Sequence, residues 1–329
     1  MKDPFVTVIV PIRNEARHIR QCLAAILAQD YPAGRMEILV VDGLSDDGTR
    51  AIVAGLAART HRLQILDNPK QIVPAALNTG LKAARGEVIV RVDGHTIVAP
   101  DYVRACVEAL QSSGADCVGG PMAARGQTPF GRAVALATSH PFGVGDSRFH
   151  YATEMRETDT VYLGAYRRQV FDRVGCFDEE MVRNQDDEFN YRLRAGGGRI
   201  VLDPAIRSIY FNRSTARSLW RQYYQYGLWK VRVAQKLPGQ MRPRHFVPFG
   251  LVASLAGGAL LAPFLKPVRR LWLGLLGLYA LLNLGVSLAI AARRGWRQAG
   301  LLPLAFSILH LAYGSGFAAG LIRFARYWK

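Results

Sequence analysis

The first 110 residues alternate short apolar runs with segments in which apolar residues recur every three or four positions. Phe5–Val10 has the apolar, β-branched character of a strand that ends at Pro11, and the spacing of apolar residues in Glu15–Ala28 predicts a helix. The pattern continues with predicted strands at 36–41, 63–66 and 88–92 and predicted helices at 49–58 and 72–84. Strands that alternate with helices predict an α/β domain with a parallel sheet covered on both faces.

Polar residues follow three of these strands where each one ends. Pro11-Ile12-Arg13-Asn14-Glu15 follows the first strand, Asp42 the second and Asp93 the fourth. Ligands of parallel sheets bind beyond the carboxyl ends of the strands. We therefore expect these residues to line one ligand site, although Asp42 alone would equally suit the cap of the next helix.

Asp93 and His95 flank Gly94 after the fourth strand. Side chains two residues apart on an extended segment point the same way, so a carboxylate and an imidazole could converge on one ion. Such donors suit Mn²⁺ or Mg²⁺ when phosphate and water complete the shell. The alternative is a capping Asp beside a solvated His.

Residues 115–203 have a less regular pattern, in which a helix is predicted to begin near Asn184 and to end at Gly196, before a last strand at Ile200–Leu202. Asp186, Asp187 and Glu188 lie at its start. The helix dipole explains one or two acids at this position. Three exceed what capping requires, and a carboxylate at a helix N-terminus in a cleft can act as a general base.

The C-terminal part is apolar and purely basic. Residues 204–329 hold 18 of the 42 Lys and Arg residues and none of the 25 acidic ones. Three uncharged runs are long enough to cross a hydrocarbon core of ~30 Å, and they predict helices at 246–265, 271–292 and 300–322. Buried core helices are the alternative. Pro248 and Pro263 also leave the first run open to a re-entrant or interfacial path.

Ser214–Lys236 is rich in Arg, Lys, Trp and Tyr, a composition that suits the headgroup layer of a membrane. Base stacking on nucleic acid is the rival interpretation, and the adjoining apolar runs disfavour it. Basic residues flank every predicted span, so the positive-inside rule does not set the orientation. The chain starts without a signal-peptide pattern, which predicts that the first domain stays in the cytosol.

Five motifs, in order, resemble those of the family 2 inverting glycosyltransferases, which have the GT-A nucleotide-diphospho-sugar transferase fold. They are Pro11-Ile12-Arg13-Asn14-Glu15, Val41-Asp42-Gly43, Asp93-Gly94-His95, Gly164-Ala165-Tyr166-Arg167-Arg168 and Gln185-Asp186-Asp187-Glu188. The resemblance covers residues 5–235. With the apolar tail, it is most similar to the membrane-anchored enzymes of succinoglycan-type exopolysaccharide synthesis.

The resemblance implies a role for each matching position. The nucleotide sugar would be bound by Pro11, Arg13, Glu15, Asp42 and Asp93. Asp93 and His95 would hold Mn²⁺ or Mg²⁺, Gly164 and Ala165 would form an acceptor-side loop, and Trp220 and Gln222 would also contact the acceptor. Asp186 would be the general base, with Asp187 as the alternative.

The chain departs from the family pattern at two positions. His95 stands where the family usually has Asp, which leaves the identity of the metal open. Gln185 stands where Glu is usual, which is why Asp187 remains an alternative base.

The implied organisation is a GT-A domain with a Rossmann-like mixed sheet at 1–213, membrane-interface helices at 214–245 and a helical membrane domain at 246–329. The implied activity transfers sugar from a nucleotide-diphospho-sugar, with UDP-glucose the expected donor, to a lipid-linked saccharide at the cytoplasmic face of a bacterial inner membrane. The alternatives are transfer to a polyprenyl phosphate, a processive synthase and a non-catalytic nucleotide-sugar-binding or assembly protein. Small residues at Gly316 and Gly320 would pack helices within one chain or between two.

Overall fold

The computed structural model describes residues 3–328, so residues 1, 2 and 329 of the predicted domains lie outside it. The chain forms two compact units. The first contains the chain up to Ala123 together with Tyr151–Tyr210, and the second contains Ala124–His150 together with the chain from Phe211 onward.

The first unit is an α/β domain. Its strands are β1 Val6–Ile12, β2 Met36–Asp42, β3 Leu63–Asp67, β4 Val88–Arg91, β5 Thr96–Val98, β6 Cys117–Gly120, β8 Arg156–Glu157, β9 Tyr162–Arg167 and β10 Ile200–Leu202, with β7 Met122–Arg125 and β11 Ser208–Phe211 at the boundary of the units. Its helices are α1 Ile19–Leu27, α2 Thr49–Ala57, α3 Val73–Ala83, α4 Tyr102–Ser113, α7 Gln169–Val174 and α8 Gln185–Ala195.

The main sheet has eight strands in the order β3-β2-β1-β4-β9-β6-β10-β8. The first four strands along this order are parallel, whereas β9 is antiparallel to both β4 and β6. The sheet is therefore mixed, as the resemblance implied and the alternation alone did not. Apolar residues of β1, β2 and β4 and of helices α1 and α4 form the core beneath it.

The strand β1 extends two residues further than the pattern predicted, because Pro11 does not end it. Pro11 lies opposite Val41 of β2, whereas the pairing of β1 with β4 ends at Ile9. A proline lacks an N–H and is tolerated where one side of a strand needs no partner. The extension brings Ile12 opposite Asp42, and Asp42 in turn lies opposite Asp67. The polar ends of these strands thus share one edge of the sheet.

The second unit is helical. Its helices are α5 Pro129–Thr138, α6 Pro141–Val144, α9 Ala216–Lys236, α10 Val247–Leu261, α11 Lys266–Arg294 and α12 Leu302–Arg323. Glycines let α9 and α12 approach closely: a Cβ on Gly316 would lie 2.0 Å from the carbonyl oxygen of Tyr224, and one on Gly320 would lie 2.5 Å from that of Leu228. These small residues therefore pack helices within the chain.

Residues 124–150 were predicted to belong to the first domain, and the structure places them in the second unit. The reason is packing, since Ala133, Val134 and Ala137 of α5 are buried in one apolar cluster with Phe306 and Leu309 of α12. A sequence-local boundary at residue 213 misses this long-range contact.

Two of the helices, α11 and α12, are long and apolar enough to cross a membrane by length and composition. The third predicted span is shorter than expected, because α10 has only 15 residues. At 1.5 Å per residue it extends about 22 Å, less than a hydrocarbon core of ~30 Å. Pro248 lies in its first turn, and it ends before Pro263.

Candidate active site

A buried arginine joins two of the predicted site residues. Arg91, the last residue of β4, places its Nε 2.8 Å from Oδ1 of Asp93 and its Nη2 3.3 Å from Oδ2. Its Nη1 lies 3.7 Å from Oδ2 of Asp186 at the start of α8. The guanidinium therefore brings together a carboxylate predicted to bind the donor and a carboxylate predicted to act as the base.

The three charges influence one another. Burial disfavours the charged form of Asp93, but Arg91 and then His95 hold the pKa of this carboxyl below its ordinary value. For Asp186, burial and the neighbouring Asp187 raise the pKa, and Arg91 opposes them. The two carboxylates thus shift in opposite directions, a pattern typical of sites in which one acid stays ionised and another exchanges protons.

His95 is oriented by Glu15, whose Oε1 lies 3.0 Å from Nδ1 of the imidazole. The backbone N–H of Glu15 donates to Oγ1 of Thr49 at 2.8 Å, which holds the loop after β1. A carboxylate that accepts from Nδ1–H leaves the Nε2 lone pair for a ligand, the usual arrangement behind a metal-bound histidine. Tyr210 packs edge-on against the imidazole with ring centroids 5.8 Å apart.

The segment Asp93-Gly94-His95 is a turn, so the prediction of an extended segment is wrong. The N–H of Thr96 closes it by donating to the carbonyl oxygen of Asp93 at 2.9 Å. Gly94 is required here, because a Cβ would come within 2.7 Å of the Ile12 side chain. The alternation of side chains along a strand therefore does not relate Asp93 to His95.

Asp42 is fully buried at the end of β2. Its Oδ1 accepts from Oγ of Ser45 at 2.5 Å, and its Oδ2 lies 3.3 Å from Nη1 of Arg50. The alternative role predicted for Asp42, the cap of the next helix, is not observed, because α2 begins after Gly48 without a side-chain cap, and Asp42 instead holds the turn at Ser45. Pro11 is buried within β1, whereas Arg13 is exposed in the loop after it.

The acids at the start of α8 divide into two kinds. Glu188 is buried and forms an ion pair with Arg192 at 2.8 Å, so it supports the helix. Asp186 keeps 38% of its side chain exposed, and its Oδ1 accepts from the N–H of Asp187 at 3.0 Å. Asn184 precedes them with a left-handed backbone at φ 58°. Asp186 is thus an accessible carboxylate that Arg91 also contacts.

Gly164 and Ala165 were predicted in an acceptor-side loop, and the structure places both within β9. Ala165 is fully buried and lies opposite Val90 of β4 and Val118 of β6. Because β9 lies between two other strands, its backbone is committed to the sheet. Trp220 and Gln222 lie on α9 in the second unit, where the Nε2 of Gln222 donates to the hydroxyl of Tyr226 at 2.8 Å.

A metal would find few protein ligands in this site. Within residues 3–328, no three His, Cys, Asp or Glu side chains are grouped closely enough to hold an ion. The two predicted donors Asp93 and His95 fit only an ion that takes most of its ligands from substrate oxygens and water. The contact with Glu15 orients the imidazole so that its Nε2 could bind such an ion.

Three residues of the site were not predicted from the sequence: Arg91, Tyr210 beside His95, and Tyr162 beside Thr96. A signal was present for the arginine, since it is the one charged residue in the apolar run 88–92. Long charged side chains are rarely buried without a partner. Tyr162 and Tyr210 gave no such signal, because the pairing of β5 with β11 brings Tyr210 opposite Thr96, and the hydroxyl of Tyr162 lies 2.7 Å from Oγ1 of the same threonine.

The fold and this edge of the sheet define a GT-A transferase domain. Residues 7–175 match the model of glycosyl transferase family 2, and the chain belongs to that family. It is therefore a glycosyltransferase of polysaccharide or glycan synthesis.

Two curated proteins match nearly the whole chain. It is 31% identical over 323 residues to the succinoglycan biosynthesis protein ExoA of Rhizobium meliloti, with 97% of this chain and 96% of that protein covered. It is 28% identical over 327 residues to a dolichyl N-acetyl-α-D-glucosaminyl phosphate 3-β-D-2,3-diacetamido-2,3-dideoxy-β-D-glucuronosyltransferase of Methanococcus voltae, with 97% and 98% covered.

A solved structure shares the fold. The mannosyltransferase PcManGT of Pyrobaculum calidifontis, solved with GDP-Man and Mn²⁺, superposes with a TM-score of 0.62 at 22% identity, with 94% of this chain and 86% of that one covered. At this identity the likeness establishes the fold.

Proposed function

We propose that this chain is an inverting, metal-assisted glycosyltransferase that moves a sugar from a nucleotide-diphospho-sugar to a hydroxyl of a lipid-linked saccharide. The observation that carries the proposal is the Arg91 guanidinium between the carboxylates of Asp93 and Asp186. It places an ionised acid and an acid of raised pKa side by side at the ligand-binding edge of a GT-A sheet.

The donor site in this proposal is the edge formed by the ends of β1, β2 and β4. Glu15 has a half-buried carboxylate that can accept from ribose hydroxyls or from the imide N–H of a base, and exposed Arg13 can pair with phosphate. Asp42 is fully buried and bonded to Ser45, so in this proposal it supports the edge from behind. Asp93 and His95 would hold Mn²⁺ or Mg²⁺, whose bound charge would stabilise the diphosphate leaving group. PcManGT, with the same fold, was solved with a nucleotide sugar and Mn²⁺.

Asp186 is the proposed general base. It would take the proton of the acceptor hydroxyl as that oxygen attacks the anomeric carbon, in a single displacement that inverts the configuration. Its raised pKa increases its affinity for this proton. Arg91 would hold the carboxylate in place and lower the cost of its charge.

The proposed location is the cytoplasmic face of a bacterial inner membrane. Support comes from α11 and α12, which are long and apolar enough to span, and from the dolichyl-linked acceptor named for the M. voltae relative. Transfer directly to a polyprenyl phosphate is the second candidate. That acceptor is already an anion and needs no general base, so the accessible Asp186 favours a hydroxyl acceptor.

A donor screen tests the proposed function. Purified full-length protein would be given UDP- and GDP-sugars, lipid-linked saccharides or polyprenyl phosphate, and Mn²⁺ or Mg²⁺. We expect one donor to yield an acceptor-dependent product whose anomeric configuration, read by NMR, is inverted. Release of nucleoside diphosphate without any glycosylated product would contradict transfer, and glycosylation of polyprenyl phosphate alone would select the second candidate.

His95→Asp tests the metal assignment. If neutral imidazole holds the ion, metal affinity of the wild type should fall as the pH drops through the histidine range near ~6.5, because protons compete for the nitrogen. His95→Asp should keep activity and move that loss to the carboxylate range near ~4. Mn²⁺ titrations between pH 5 and pH 8 would measure both affinities, and an inactive but folded variant would refute the assignment.

A further inference from the structure

A cluster of cationic side chains lies in the second unit, just before the apolar helix α10. Arg242 and Arg244 flank Pro243 in a short 3-10 turn, and His245 follows them. His245 is buried: its Nδ1 lies 3.1 Å from the backbone nitrogen of Arg242, and its Nε2 lies 3.1 Å from Nε of Arg244. A neutral imidazole has one acceptor nitrogen, so only one of these two contacts can be a hydrogen bond, and the ring lies directly beside Arg244.

The surroundings of His245 are strongly positive. Burial, followed by the charges of Lys230, Arg244 and Arg242, lowers the pKa of His245 to about 2. The imidazole therefore stays neutral and serves as a support for the arginines. Lys230 of α9 is itself buried, so the positive charge is held in the fold as well as on its surface.

The carboxylate of Asp146 forms ion pairs with both guanidinium groups. Its Oδ1 lies 2.6 Å from Nη1 of Arg244, and its Oδ2 lies 3.3 Å from Nη1 of Arg242. The preceding Gly145 has φ +64°, and a Cβ there would lie 2.9 Å from Cβ of Arg244. The glycine thus lets the loop after α6 bring its carboxylate onto the arginine pair.

This ion pair is built so that its anion can be replaced. The Arg244 side chain is 8% exposed, whereas 45% of Asp146 is exposed. Desolvation opposes ionisation of Asp146, yet Arg244 and Arg242 keep its pKa below the ordinary value, so it is anionic at neutral pH. Because nearly half of Asp146 is exposed, water can solvate this carboxylate when it leaves the arginines. A phosphate, with more charge and more acceptor oxygens than one carboxylate, can displace it.

Apolar surface begins directly after the cationic turn. Phe246 and Val247 are exposed, and so are Leu260 near the end of α10 and Phe264 just after this helix. A ligand that joins a phosphate to a long hydrocarbon chain would satisfy both features, whereas a free phosphate would satisfy only the first. Arginines beside an apolar helix are also suited to headgroups of anionic phospholipids, so the two lipid classes must be separated by experiment.

We propose that Arg242 and Arg244 form a binding site for the phosphate groups of the lipid-linked acceptor, and that Asp146 occupies this site until the lipid displaces it. The inference rests on the proposed function, because it assigns the anchoring group of that acceptor. It adds a site outside the sheet edge and a built-in competitor for the ligand.

The test measures binding of farnesyl diphosphate, a short isoprenoid diphosphate, to the full chain in detergent. Arg242→Gln should weaken binding at least tenfold, because charged hydrogen bonds to phosphate are among the strongest in proteins. Asp146→Asn should tighten binding several-fold, because the competing charge is gone. Arg207→Gln, which breaks the exposed pair with Asp101 in the first unit, is the matched control and should change nothing.

Two further arms identify the source of the phosphate. Inorganic diphosphate should bind at least tenfold more weakly than farnesyl diphosphate. Phosphatidylglycerol vesicles should not displace bound farnesyl diphosphate when both supply the same concentration of accessible phosphate. Equal competition by the vesicles would overturn the assignment to the acceptor. Unchanged or weaker binding by Asp146→Asn would overturn the exchange of Asp146 for phosphate. If the ion pair were purely structural, its loss would not weaken binding in Arg242→Gln and tighten it in Asp146→Asn.

Activity separates this inference from the proposed function. If the wild type transfers sugar but Arg242→Gln keeps the same KM for the lipid acceptor, the phosphate site is refuted and the transferase assignment stands. If no donor gives transfer while the three binding arms behave as expected, the proposed function fails and the phosphate site stands. Binding of the nucleotide sugar should be equal in all these variants.

Discussion

Replacement of Asp186 by Asn is expected to lower turnover by about 10²–10⁴-fold, the usual contribution of a general base. The amide cannot accept the proton of the acceptor hydroxyl, but it has the same shape and keeps an oxygen at the position that lies 3.7 Å from Nη1 of Arg91. Donor affinity, measured by calorimetry without acceptor, should change less than about threefold. The substitution removes no proposed donor contact, and a change of about half a kcal/mol in binding free energy alters the dissociation constant only by a factor near two.

The parallel variant is Asp187→Asn, which removes the neighbouring acid and should keep most of the activity. If Asp186→Asn turns over normally and Asp187→Asn does not, the base is Asp187.

In the wild type, activity needs ionised Asp186, so the activity should fall as the pH drops through the raised pKa of this group. The acid limb should therefore lie above the ordinary aspartate value of ~3.9. Asp187→Asn should move that limb to lower pH, because Asp187 contributes to the shift.

Arg91→Met is expected to destabilise the first unit by about 3 kcal/mol and to abolish transfer. Removing one partner of a buried ion pair leaves the remaining charges without compensation, which typically costs 3–5 kcal/mol, and the partial exposure of Asp186 places this case at the low end. Arg91→Lys should recover part of the stability but little of the activity, because an ammonium group cannot contact both carboxylates as the planar fork does.

The measurement must report on the stability of the first unit. Tryptophan fluorescence cannot do so, because all five tryptophans lie in the second unit. Amide hydrogen exchange of β1 and β4, followed by mass spectrometry, gives that local stability. Arg91 lowers the pKa of Asp93, so its stabilisation is present above ~4 and is lost as the pH falls through the lowered value. The difference between wild type and Arg91→Met should therefore shrink at acid pH. Arg207→Gln, at an exposed pair, should cost less than about 1 kcal/mol, and equal exchange in Arg91→Met and wild type would contradict the central role of Arg91.

Periodicity predicted most of the first four strands and three helices because their signals are local. Parallel strands that are covered on both faces are continuous apolar runs, and helices show their buried face every three or four residues. The strand β10 was predicted with its observed bounds, Ile200–Leu202. Pro11 misled the prediction of β1 because whether a missing N–H is tolerated depends on which neighbouring strand has already ended.

The site was predicted less completely than the fold. The sheet edge follows from strand order along the chain, so Glu15, Asp42 and Asp93 could be grouped in advance. The contacts of Asp93 with Arg91 and of His95 with Glu15 depend on rotamers and on a turn closed by Thr96. Gly164-Ala165 looks like a loop in sequence, and it is a strand because β4 and β6 lie on either side of it.

By itself, the sequence determined the class of the protein: an α/β glycosyltransferase domain with polar strand ends on one edge, followed by a basic, apolar helical part. These properties depend on the spacing of residues close together in the chain. Only the tertiary structure decided that Arg91 joins Asp93 to Asp186, that residues 124–150 pack with α12, and that Asp146 lies on Arg242 and Arg244. Asp186 and Asp146 each lie about a hundred residues from the arginines they contact, and no periodic pattern encodes a contact at that separation, because it forms only when the whole core packs.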